Sequence, residues 1–311
     1  MKQGILITAY KEISHLKKLL DFFDDDFYFY IHVDKKSRII KDEIEMIQNA
    51  KNVVFFSRQF NVNWGGLNYL NSMLLLSKEA IKNPDIEYFH TISGQDLPIK
   101  SCNKIKSLLV KNRGSEYLEN FKMPVKVRDW GRDGGMDRIC YFNFYDLFNA
   151  KTISGKIAIH GLLKAQRTLK IKRNIQQDLP KFFGGSIFWT LSYPCLKYVV
   201  DYTEKHPYFL QRLKYSFCSE EIYYQTIIMN SAFKENVVNN NLRYIEWNER
   251  NGNKPANLDE TDYDKIIKSD AIFARKFEYP VSKKLINKIE EHIRYSEKLK
   301  VRSLKIPNQD Q

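Results

Sequence analysis

Cysteine is scarce: four in 311 residues, at 102, 140, 195 and 218, with no C-x-x-C pair. That spacing excludes a zinc ribbon and a dithiol redox motif. A sparse set in a chain of this size fits free thiols in a reducing compartment. The glycine-rich signatures of phosphate binding are missing as well. There is no G-x-G-x-x-G and no G-x-x-x-x-G-K-[ST], so neither a dinucleotide site nor a Walker-type site is expected. No uncharged apolar run approaches the ~20 residues that span a bilayer. The first run, 4–10, stops at Lys11 and Glu12. It is too short for the apolar region of a signal peptide and reads as a strand. Internal repeats and low-complexity stretches are absent. Acidic charge is in deficit, 37 Asp and Glu against 50 Lys and Arg, for a formal net charge of +13. Such a surplus points to an anionic partner (nucleic acid, a membrane surface or a phosphorylated substrate) or to a lysine-solvated surface.

What is present describes a soluble α/β protein. Apolar residues make up 43% and charged residues 28%, enough for a substantial core. Strand patterns at 4–9, 27–33, 52–56 and 88–93 alternate with helical spacing at 12–22, 39–47 and 67–81. Strict alternation implies parallel strands with crossover helices, and ligands in such sheets bind at the carboxyl ends of the strands. The stretch 114–181 is basic and irregular, with a strand at 116–120 and a basic helix at 157–171. Regular patterning resumes at Gly184-Gly185-Ser186, with helices at 193–205, 219–230 and 282–300 and short strands at 242–247 and 271–277.

Several motifs carry chemistry. Asp34 follows the second strand, where a carboxylate can accept hydrogen bonds from ribose or base or simply serve a turn. Ser93-Gly94-Gln95-Asp96 ends the fourth strand, and Asp96 is expected over the same edge as Asp34. Metal-dependent sugar transferases place a pair of carboxylates about there; this chain has one. Without a metal clamp, a departing diphosphate needs fixed cations. Arg243 and Lys276 are candidates, each charge pair at ~4 Å being worth about 4 kcal/mol at an effective dielectric of ~20. Finally, Ser219 precedes Glu220 and Glu221 at the start of a helical pattern. With Ser219 as N-cap, both carboxylates fall in the first turn, where the helix dipole keeps them ionised. That suits a general base, although acidic residues also decorate helix starts for stability alone.

The segments Ile31-His32-Val33-Asp34-Lys35-Lys36-Ser37, Val62-Asn63-Trp64-Gly65-Gly66 and Ser93 to Lys100 resemble the core-2/I-branching β-1,6-N-acetylglucosaminyltransferase family, which also contains peptide O-xylosyltransferases. Gly184-Gly185-Ser186, Glu220-Glu221 and Phe273-Ala274-Arg275-Lys276-Phe277 continue the match in order and rough spacing, from residue 5 to about 280. The resemblance implies a GT-A-like fold with a mostly parallel central sheet, and inverting, metal-independent transfer from a UDP-sugar. N-acetylglucosamine is the favoured sugar, xylose the alternative, and the acceptor a carbohydrate hydroxyl, with lipid-linked glycans among the forms it can take. The catalytic base falls on Glu221. UDP contacts fall on Asp34, Arg243 and Lys276, and an acceptor contact on Glu119. Beside the resemblance, Ala9 and Tyr10 are candidate UDP contacts, and Asp96, Lys126, Arg128, Gly185, Ser186 and Trp247 are candidate donor or acceptor contacts. Cys218-Ser219-Glu220 stands where the family has Ser-Pro-Asp, which changes the entry to the helix.

The expected organisation is one domain, with a nucleotide-binding half (1–113), an acceptor and catalytic half (114–280) and a C-terminal basic helix and tail (281–311). The expected place is the cytoplasm, as in a bacterial-type member. The amphipathic pattern of 282–300 is expected to touch an anionic membrane, with Leu285, Ile286, Ile289, Ile293 and Tyr295 set among lysines and arginines. Two non-catalytic readings compete: a basic nucleic-acid-binding protein and a membrane-peripheral scaffold. No nucleic-acid-binding motif supports the first.

Overall fold

The computed structural model describes residues 1–126, 130–131, 133–174 and 179–303, without the side chains of 298–303. The first half follows the expected alternation: β1 (Lys2–Ala9), α1 (Ile13–Leu20), β2 (Phe27–Val33), α2 (Lys41–Gln48), β3 (Val53–Ser57), α3 (Leu67–Ala80) and β4 (Ile86–Ser93). Next come β5 (Asp96–Pro98), α4 (Cys102–Lys111), β6 (Glu116–Leu118), β7 (Phe121–Lys122), α5 (Asp137–Cys140), α6 (Ile153–Thr168), β8 (Phe183–Gly184) and β9 (Trp189–Ser192). The chain continues through α7 (Tyr193–Lys205), α8 (Pro207–Leu213), α9 (Tyr223–Met229), β10 (Val237–Val238), β11 (Arg243–Ile245), α10 (Tyr263–Lys268), β12 (Phe273–Arg275) and α11 (Lys283–Ser303).

Seven strands form the central sheet in the order β10-β6-β9-β4-β1-β2-β3. β4, β1, β2 and β3 pair in parallel, while β9 runs antiparallel to both β4 and β6. The strands of the parallel part are apolar at nearly every position because both faces are covered. Along β1, Ile5, Ile7 and Ala9 enter one core and Leu6 the other, the period-two alternation of a strand. A small sheet, β11-β12-β5, lies at the carboxyl end of β4. It brings the Phe273–Arg275 segment beside Asp96, which pairs with Arg275 in register.

The C-terminal helix departs from its expected role. Leu285, Ile286 and Ile289 are fully buried and Ile293 nearly so, in the same core as α1, α4 and β1. Burial of each such side chain is worth roughly 1.5–3 kcal/mol, so α11 spends its apolar face on its own fold and is not the membrane contact that its pattern suggested. The division at 281 is likewise not a division of the core. Among the described residues, no helix is long and apolar enough to cross a membrane.

Candidate active site

Two charged groups meet beyond the carboxyl ends of β1 and β4. The first is built of carboxylates. The chain leaves α8, passes Cys218 in a left-handed conformation (φ 49°) and enters a short 3-10 turn, Ser219–Glu221. The α-helix starts only at Tyr223. Ser219 is therefore not the N-cap expected of it, and among the described residues its hydroxyl has no partner. The two glutamates lie in the turn, and what holds them is specific contacts rather than a helix dipole. Glu221 is paired at 2.5 Å with Nη1 of Arg138 on α5. The Arg138 guanidinium stacks on Trp130 at 3.7 Å and faces Phe217 at 5.2 Å. Trp130 can approach because Gly135 (φ +88°) has no Cβ; one placed there would meet the indole at 2.5 Å. Burial raises the Glu221 carboxyl, and Arg138 opposes that shift.

Glu220 points inward. It is buried, with one carboxylate oxygen unpartnered among the described residues. Burial, then the charge of Glu221, pushes its carboxyl up to about 8. Glu119 closes the group: it accepts a 2.8 Å bond from Asn241, and burial and Glu221 raise it. The native state thus holds a proton on Glu220 that an unfolded carboxyl, near 4.5, has released. The stabilisation from this group is full below about pH 4.5 and lost as pH rises through about 8. The melting temperature should fall over that window, and Glu220→Gln should flatten the slope. Identical slopes in thermal melts of the two proteins would contradict the assignment.

The second group is cationic. Lys276 follows β12, and its Nζ lies 3.5 Å from Asn253 Oδ1. Burial lowers its pKa; Glu278 opposes this, while Lys11, Arg275 and Lys151 add to it. Four cations therefore share one neighbourhood. Tyr10 sits among them, half-exposed, with Lys151 Nζ 4.9 Å and Lys11 Nζ 5.7 Å from its ring. Its hydroxyl donates to Gln95 at 3.0 Å.

Tyr69 and the β8–β9 loop join the two groups. The Tyr69 hydroxyl is within 2.8 Å of Thr8 Oγ1, and both Arg275 and Glu220 act on it electrostatically. In the loop, Gly185 donates to the Glu221 carbonyl at 2.9 Å, Ser186 accepts from Gln225 at 2.5 Å, and Phe188 lies 4.3 Å beneath the Arg275 guanidinium. A Cβ on Gly185 would stand 1.9 Å from the Glu119 carbonyl oxygen. This glycine was expected to make room for substrate; here it makes room for backbone.

Other expected residues take different places. Asp96 is fully buried, accepts from the Ser93 backbone (2.7 Å) and hydroxyl (2.9 Å), and pairs with Arg275 at 3.2 Å. It positions Arg275 and does not face the cleft. Arg243 was expected to reach a diphosphate, but it is buried. Its Nη1 and Nη2 donate to the carbonyls of Asn241 (2.7 Å), Thr91 (2.9 Å) and Trp189 (3.4 Å), while its buried Nε has no partner among the described residues. Its guanidinium lies over Phe273, and burial lowers its pKa to about 9. A buried arginine tying strand ends together has little left to offer an anion. Asp34 accepts from the backbone of Lys36 (3.0 Å) and Val62 (3.1 Å), which ties the loop after β2 to the Trp64 loop. Its own N–H donates to the carbonyl of buried Ala9 at 2.8 Å. Lys126 is exposed and Trp247 is 60% exposed. Arg128 lies outside the described residues. Arg138, Arg275, Lys11 and Lys151 were not singled out from the sequence. Of these only Arg275 carried a signal, as the neighbour of Lys276.

A family model described as Core-2/I-Branching enzyme matches residues 5–267. The chain belongs to the core-2/I-branching enzyme family. Its fold is α/β, with a mostly parallel central sheet. The chain is 26% identical to xylosyltransferase 2 of Rattus norvegicus over 93% of this chain and 33% of that protein. Against xylosyltransferase 1 of Mus musculus the identity is 22%, over 92% of this chain and 29% of that one. The chain spans about a third of the length of these relatives. The S. aureus TarS 1–349 structure in complex with UDP aligns over 41% of this chain and 37% of its own at 18% identity, with a TM-score of 0.30. That likeness is too low to carry an argument.

Proposed function

We propose that this family member is a GT-A-like glycosyltransferase that moves a sugar from a UDP donor to a carbohydrate hydroxyl with inversion and without a metal. The observation that carries the reading is the Glu221–Arg138 pair, a carboxylate 30% exposed and held through one oxygen. Glu221 takes the proton of the acceptor hydroxyl as that oxygen attacks the anomeric carbon. The C–O bond to the diphosphate breaks on the opposite face, and the electron pair leaves with UDP. Arg138 favours the ionised carboxylate before attack, against the effect of burial. Lys276, Arg275, Lys11 and Lys151 meet the charge that develops on the diphosphate, in the place of a metal. This reassigns the partner of Lys276 from Arg243 to Arg275. Asp34, Ala9 and Tyr10 border the nucleoside; Glu119, Trp247, Lys126 and Ser186 border the sugar and acceptor.

The names of the relatives favour xylose as the donor sugar, and N-acetylglucosamine, which the sequence resemblance favoured, is the second reading. The whole chain works in the cytoplasm under this proposal. Transfer from UDP-xylose and UDP-N-acetylglucosamine, each in EDTA, tests it. Turnover with one of them, unchanged by the chelator, is expected; turnover that needs added Mn²⁺ or Mg²⁺ would contradict the metal-free step. Lys276→Ala should weaken UDP binding about tenfold, the equivalent of ~1.4 kcal/mol, with the melting temperature little changed. UDP affinity equal to wild type by calorimetry would remove the lysine from the site.

A further inference from the structure

α6 buries one narrow stripe. Gly155, Ile159 and Gln166 are its buried residues, and at about 100° per residue they fall within about 40° of one another. The opposite side is apolar and open: Ile153 is 80% exposed and Ile157 67%. Lys164 falls in the same line, about 20° from Ile153. Leu147 before the helix and Leu169 after it are 65% and 68% exposed. From 147 to 174 the chain has seven Lys and Arg and no Asp or Glu. The helix is nonetheless fixed in place. Thr152 caps it by accepting from Gly155 N at 3.0 Å, and Gln166 is bonded at both ends of its amide to the backbone of Phe142. A helix that packs only on its own domain carries polar residues on its outer face; this one carries isoleucine and lysine.

We propose that α6 docks the enzyme on an anionic lipid bilayer, with Ile153 and Ile157 in the headgroup boundary and the flanking lysines and arginines on lipid phosphates. Isoleucines with cations and no anion is the composition of an interfacial helix. A second copy of the chain is disfavoured by charge, because apposing this face to itself sets like charges together. A nucleic acid would satisfy the cations but leave the isoleucines in water. Lys151, two residues before the helix, lies over Tyr10, so docking through α6 holds the cationic side of the cleft close to the bilayer. The proposal does not depend on the identity of the donor sugar.

Co-sedimentation of the full chain with vesicles tests it, using phosphatidylcholine alone and phosphatidylcholine mixed with phosphatidylglycerol. Wild type should pellet with the mixed vesicles only. Lys156→Gln/Lys164→Gln should lower partitioning roughly fivefold per side chain removed. Ile153→Ser/Ile157→Ser should weaken it by at least as much, and Lys283→Gln/Lys284→Gln on α11 should change it least. UDP affinity measured in parallel shows that each variant is folded. Equal sedimentation with both vesicle types, or a larger loss in the α11 variant, would overturn the proposal. So would single-stranded RNA binding as tight as vesicle binding and unaffected by the isoleucine changes, which would mark a general polyanion site.

Discussion

Glu221→Gln should lower the transfer rate by ~10²–10⁴, the contribution of a general base, and leave UDP affinity near wild type. Glutamine keeps the size and one acceptor oxygen but cannot take a proton. Glu220→Gln should cost far less in rate, and it should stabilise the protein at pH values near and above 8. The asymmetry comes from the 3-10 turn. Glu221 keeps 30% of its side chain exposed and is held by Arg138; Glu220 is buried behind it with a carboxyl raised to about 8. A base must reach solvent or substrate, and only the first of the pair does. Kinetics of the two variants side by side decide the point. A larger loss in Glu220→Gln would shift the base by one residue, and small, similar losses would return both glutamates to a structural role.

Gly185→Ala should be nearly as damaging, through a different cause. The added methyl would start 1.9 Å from the Glu119 carbonyl oxygen, a backbone atom that cannot swing aside as a side-chain tip does. Overpacking of this kind costs about 1–3 kcal/mol of stability. The same residue donates to the Glu221 carbonyl at 2.9 Å, so relief of the clash moves the base. A misplacement of about 1 Å costs around 10²-fold in rate. The expected signature is a lower melting temperature together with a fall in kcat, with UDP affinity less affected. Wild-type kcat in Gly185→Ala would show that the loop does not position Glu221.

Much of the fold was legible because the parallel strands are apolar on both faces and the helices between them keep a 3.6-residue spacing. α7 matches its expected span of 193–205 to the residue, and β1, β2 and α3 fall within a residue or two. The site was less legible, for three physical reasons. Burial is not a property of a single residue: Asp96 and Arg243 have the right chemistry, but as members of the small β11-β12-β5 sheet they are buried, and Ser93, Arg275 and the carbonyls of Asn241, Thr91 and Trp189 take up their bonds. The Glu220–Glu221 turn shows the limit of a local rule, since the left-handed Cys218 and the backbone contacts of 217 and 218, to Arg138 and Gly65, override the helix start that Ser219 suggested. Arg138 sits in a glycine-rich stretch without periodicity, and its packing on Trp130 and Phe217 helps aim it at Glu221. The same lack of context put an expected membrane contact on α11. The amphipathic pattern of α11 is real but faces the core, whereas α6 has the weaker pattern and the open face.

The central claim is direct, single-step transfer with Glu221 as base, and the anomeric configuration of the product tests it most directly. Proton NMR of the product formed from an α-linked UDP-sugar reads that configuration. The account predicts a β linkage, formed in EDTA by wild type and lost in Glu221→Gln. An α-linked product would mean retention and a different use of these carboxylates, and would contradict it.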